Sequence, residues 1–87
     1  MAALPFQVEF VFAERGFLIA RALERSDFHL SEEAALAGSP VVAMEMPRAK
    51  APDGAVRKDL FAFRLKRRED AARFKAGEVV ELSGWRE

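Results

Sequence analysis

The strongest chemical signal in this chain is a run of cations. Arg64, Lys66, Arg67 and Arg68 fall within five positions, and Arg57 and Lys58 lie just upstream. Such a cluster suits phosphates, because affinity for nucleic acid is largely electrostatic. Glu69 and Asp70 follow the cluster directly, so a solvated, ion-paired face is the simpler account of the same residues. His29 is the one side chain whose ordinary pKa lies near neutrality. Work as a base or a metal ligand would require partners, and no recognised spacing joins His29 to Glu32, Glu33 or Asp27. Flanked by Phe28 and Leu30, it is expected to face solvent from a strand. No catalytic residue, metal ligand or cofactor site is predicted, and the expectation is a non-enzymatic binding module.

Composition narrows the possible classes. The 87 residues allow one domain. Lys+Arg is 14 and Asp+Glu is 14, so the net charge is zero. That excludes a uniformly basic nucleic-acid binder but not a local patch. With no cysteine, disulfides and thiolate-held zinc are excluded. No apolar run approaches the roughly 20 residues of a membrane-spanning helix, and no secretory signal is evident. The expectation is a cytoplasmic protein, monomer or homodimer, with no membrane contact.

The elements that must position the cations read as strands. Phe6, Val8, Phe10 and Phe12 occupy alternate positions, with Gln7 and Glu9 between them. This period of two predicts a strand with an aromatic face turned inward, Phe10 included. Glu14-Arg15-Gly16 predicts a hairpin turn with a left-handed glycine, and Phe17 to Leu23 the returning strand. Residues 31–38 have two readings. Ser31 is suited to cap a short helix stopped by Gly38, or Ala34 and Leu36 point inward from a strand. Ser39-Pro40 reads as a turn. Val41 to Met46 reads as a strand with Val42, Met44 and Met46 alternating, and Pro52-Asp53-Gly54 as the tip of a long hairpin. Leu60 to Leu65 is a strand with Phe61, Phe63 and Leu65 on one face. Glu69 to Lys75 is a helical turn or two with its acids first, stopped by Gly77. Val79 to Leu82 is the last strand, and Ser83-Gly84-Trp85 closes the chain, with Trp85 as a lid on one barrel end. Five or six short strands separated by turn residues predict an all-β antiparallel barrel or sandwich.

The order of these pieces resembles the second domain of elongation factor Tu and other translational GTPases. The likeness is densest in ERSDFHLSEEAAL, residues 24–36. Ser26 and Ser31 stand there where that family has glycines, and Glu32 and Gly38 fall in place. PFQVEFVFAERGFLIARAL is similar to the family's first hairpin, VVAMEMPR to a following strand, and DLFAFRLKRREDAARFKAGEVVEL to its closing segment. The resemblance implies a small antiparallel β-barrel, translation-factor domain 2-like, with residues 33–37 in a strand. It further implies contact with RNA or a translation-associated protein, for which the charge cluster offers Arg57, Lys58, Arg64, Lys66, Arg67 and Arg68 as the candidate binding residues. No Gly-x-x-x-x-Gly-Lys-Ser/Thr loop is present, so GTPase activity does not carry over. A protein-interaction or self-assembling module is the alternative.

Overall fold

A computed structural model of the chain describes residues 3–24, 28–46 and 59–86. Six strands form an antiparallel closed barrel: β1 (Leu4–Phe12), β2 (Phe17–Ala22), β3 (His29–Leu36), β4 (Ser39–Glu45), β5 (Leu60–Leu65) and β6 (Val79–Arg86). Around the barrel their order is β1-β2-β5-β4-β3-β6. Closure removes the free sheet edges that an open sheet of this size would leave. Two short 3-10 helices are described rather than the single helical turn expected. One, Ala13–Arg15, forms the β1–β2 loop, and the other, Arg68–Arg73, joins β5 to β6.

The interior follows the expected alternation in most strands. Phe6, Val8, Leu18, Ala20, Leu36, Val41, Phe63, Leu65, Val80 and Leu82 are buried and form one cluster with Phe28, Ala71 and Phe74. Phe6 sits at its centre, with the rings of Phe28, Phe61 and Phe63 at 5.8, 5.8 and 5.1 Å in edge-to-face arrangement, the geometry that ring quadrupoles favour. Trp85 packs on this cluster edge-on to Phe28 at 6.4 Å.

Register breaks account for several departures from simple alternation. Between Val8 and Phe10 the β1–β2 ladder gains one residue on β1. A period of two cannot survive an odd insertion, so the faces exchange. Val11, not Phe10 or Phe12, turns toward the core, and Phe10 is 60% exposed. The expectation that Phe10 and Phe12 face inward is therefore corrected. A like break between Val41 and Ala43 leaves Val42 exposed and turns Met44 inward. Residues 31–36 are strand, which excludes the helix reading. Ala37 and Gly38, at φ 50° and 84°, make the tight β3–β4 turn across Leu36 and Ser39, the two-residue form whose twist matches a hairpin. Ser39 and Pro40 consequently belong to β4 instead of forming a turn of their own. Ser39 is fully buried and accepts a hydrogen bond from Arg73 Nη1 at 3.0 Å.

The closing segment is also strand, and β6 continues through Ser83, Gly84 and Trp85 to Arg86. Gly84 has φ 69°, and a Cβ there would fall on the Glu33 carbonyl, 2.6 Å from its carbon. This close approach lies at a break in the β3–β6 register between Leu30 and Ala35, where the Ser31 hydroxyl donates to the Gly84 carbonyl. Only glycine fits so near another backbone at positive φ. The proposed tip at Pro52-Asp53-Gly54 lies outside the described residues. Among the described residues no helix is long and apolar enough to cross a membrane.

Candidate nucleic-acid interface

The barrel brings four of the six predicted basic residues to one end. Arg64 projects from the outer face of β5, Lys66 and Arg67 lie in the link that follows, and Arg68 opens the second 3-10 helix; all four are exposed. Arg57 and Lys58 lie outside the described residues. The cationic end is held by backbone contacts. Leu65 N–H donates to the Gly16 carbonyl at 3.0 Å and Lys66 N–H to the Pro40 carbonyl at 2.9 Å. The β1–β2 loop is pressed against the second 3-10 helix at Gly16. A Cβ at that position, already at φ 72°, would lie 2.9 Å from Arg68 Cγ and 3.0 Å from Arg68 Cα. Glycine at the turn is thus required twice, by dihedral and by space.

Strand register then sets aromatic rings beside these cations. Directly opposite residues in neighbouring strands share a face. One outer row runs Phe12, Phe17, Arg64, Ala43 across β1, β2, β5 and β4. The next runs Phe10, Ile19, Ala62, Glu45. The rings of Phe12 and Phe17 stack at 4.5 Å with planes 18° apart. On Phe17's other neighbour in the row, the Arg64 guanidinium carbon lies 5.5 Å from the ring centroid, within the range of a cation–π contact. Arg64 Nη1 also donates to the Arg15 carbonyl at 3.3 Å, so the guanidinium is held on the β1–β2 loop. Phe17, Ala43, Glu45, Ala62 and Arg64 line a shallow cleft of about 100 Å³.

At the β1 end of these rows no described strand lies paired beyond Phe10 and Phe12. β6 pairs with β1 from Leu4 to Gln7 only, and the last backbone bonds between them join Val8 to Glu78 and Gly77. Phe12 is 38% exposed at that open end. The acids near this face lie at separate places: Glu45 beside the cleft, Glu14 in the loop, Glu9 at the β1 bulge, and Glu69 and Asp70 in the second 3-10 helix directly after Arg68.

His29 is exposed on β3, in register with Arg86 of β6. Glu32 and Glu33 are exposed on the same strand, and Asp27 lies outside the described residues. Among the described residues no three His, Asp or Glu side chains are grouped so as to hold a metal ion.

The aromatic half of this face was not expected from alternation, which assigns Phe10 and Phe12 to the core. A clue is nonetheless present. Phe10-Val11-Phe12 and Phe17-Leu18-Ile19-Ala20 are apolar at every position, and a half-buried strand cannot bury both of its faces. No protein-family model, curated protein or solved structure matches this chain.

Proposed function

We propose that this chain is a non-enzymatic RNA-binding module, a barrel of the translation-factor domain 2 kind working in the cytoplasm. The observation that carries this reading is the assembly of Arg64, Lys66, Arg67 and Arg68 at one barrel end, on a backbone held by the hydrogen bonds of Leu65 to Gly16 and Lys66 to Pro40 and by the packing of Arg68 on Gly16. Clustered cations attract a phosphate chain and gain counterion-release entropy when it binds. The lack of cysteine agrees with a reducing compartment. Resemblance to a barrel that translation factors carry supports RNA as the polyanion in preference to DNA.

Titration of a labelled RNA oligonucleotide at several salt concentrations tests the reading. Arg67→Gln combined with Arg68→Gln removes two charges and keeps the Cγ of residue 68 that packs on Gly16. This double variant should weaken binding of all sequences alike and reduce the magnitude of the log–log salt slope by about two. Failure of the parent protein to bind any RNA at low salt removes the proposal. The apolar strip of Phe10, Ile19 and Ala62 favours the second reading, a protein-interaction surface, and sedimentation at rising concentration would reveal it if the partner is a second copy.

A further inference from the structure

Resting on that RNA-binding reading, we propose that the outer face of β1, β2 and β5 selects single-stranded over duplex RNA by adding an unpaired base to the Arg64–Phe17–Phe12 stack. The guanidinium caps the stack on its Phe17 side; on the Phe12 side no described strand pairs with β1, because β6 reaches only Leu4 to Gln7. An aromatic ring with exposed surface at the end of a stack takes another flat π system, and every nucleobase has one. Phe10, 60% exposed in the neighbouring row, offers a second ring within the same strand.

Charge selects the occupant. Arg64 is tied to the Arg15 carbonyl, and Arg68 packs on Gly16, so cations border the aromatic row on its loop side. Glu45 stands on the opposite side of the cleft, in the second row. A base lying on Phe12 therefore has its phosphates drawn toward Arg15, Arg67 and Arg68 and away from Glu45. A purely apolar protein partner would leave those arginines unanswered, whereas a ribose-phosphate chain with exposed bases satisfies both halves of the surface. Duplex RNA presents the same phosphates but keeps its base faces inside the helix, so it can use the arginines and not the rings.

The experiment compares a fluorescein-labelled 12-nucleotide oligouridine and oligoadenosine with an RNA hairpin of equal charge. Polarisation is read at low salt for the parent protein, Phe12→Leu, and the Arg67→Gln/Arg68→Gln pair. Phe12→Leu keeps an apolar side chain at a partly exposed position and removes the π face; a thermal melt verifies its fold. The single strands should bind more tightly than the hairpin. Phe12→Leu should weaken single-strand binding by roughly tenfold with the salt slope unchanged, and leave hairpin binding as it was. Equal binding of both forms, insensitive to Phe12→Leu yet weakened by the arginine pair, overturns the stacking inference and leaves the RNA-binding reading intact. No binding of either form overturns both. Self-association of the parent protein that Phe12→Leu abolishes, without RNA binding, assigns the face to a second copy and likewise overturns the inference.

Discussion

Phe6 and Phe10 lie four residues apart on β1, the same residue type in the same local pattern, yet Phe6 is 1% exposed and Phe10 60%. Phe6 meets three other rings edge-on inside the barrel. Phe10 stands outside, in a row with Ile19, Ala62 and Glu45. Between them the ladder to β2 gains a single residue. One inserted position converts a strand that would bury five side chains, Leu4, Phe6, Val8, Phe10 and Phe12, into one that serves two surfaces. Its first half closes the core, and its second half presents rings beside arginines. Hydrophobicity set the material of both regions, and register decided which region became a core and which became an exposed face.

The largest test of this contrast is Phe6→Ala. The lost burial and the cavity left among Phe28, Phe61 and Phe63 should cost about 3–5 kcal/mol. In a chain of this size that removes roughly 12 °C or more of melting temperature at about 4–8 °C per kcal/mol, which a calorimetric melt would read. A fully stable Phe6→Ala would show that the ring cluster is not the centre of the core. Intermediate in size is Gly84→Ala, which challenges another register break, that of β3 against β6. The new methyl group meets the Glu33 backbone at a left-handed φ, and the strain and overpacking together should cost about 2–3 kcal/mol. Denaturant unfolding would measure it, and a loss under 0.5 kcal/mol would mean that the crossing of β3 over Gly84 relaxes freely. The smallest effect belongs to Phe10→Ala, which should leave stability within about 0.5 kcal/mol, as exposed substitutions do. A loss comparable to that of Phe6→Ala would place Phe10 in the core and abolish the contrast.

Much of the architecture was readable from residue order alone. Alternation located the first hairpin, the Phe63 and Leu65 face of β5 and the closing strand from Val79. Gly16 marked the β1–β2 turn, and the acids preceding Arg73 marked the second helical segment. The exposure of His29 followed from its apolar neighbours Phe28 and Leu30. Each of these depends on contacts between residues close in sequence, where spacing and backbone preference suffice. The cations of the candidate interface were readable for the same reason, since charged side chains on a short segment stay at the surface wherever the segment goes.

The remainder was decided by tertiary structure. Propensity favoured a helix for Ser31 to Gly38, but β6 on one side and the Ala37–Gly38 turn to β4 on the other hold those residues as a strand. Ser39-Pro40, with the composition of a turn, was taken into β4 because the chain had already turned one residue earlier. The outward rotation of Phe10, Phe12 and Val42 came from bulges, and a bulge is a property of two strands at once: whether a position is extra depends on what the neighbouring strand places opposite it. The aromatic half of the interface arose in the same way. Phe12, Phe17 and Arg64 are separated by up to 52 positions of chain and meet only because β2 pairs with β1 on one edge and β5 on the other. Composition and spacing determined that this chain would bury aromatic strands in a small barrel and expose a basic segment. Only the pairing of strands, the bulged register of β1 on β2 and the long-range pairing of β2 with β5, determined that some of the rings would stand outside with the arginines.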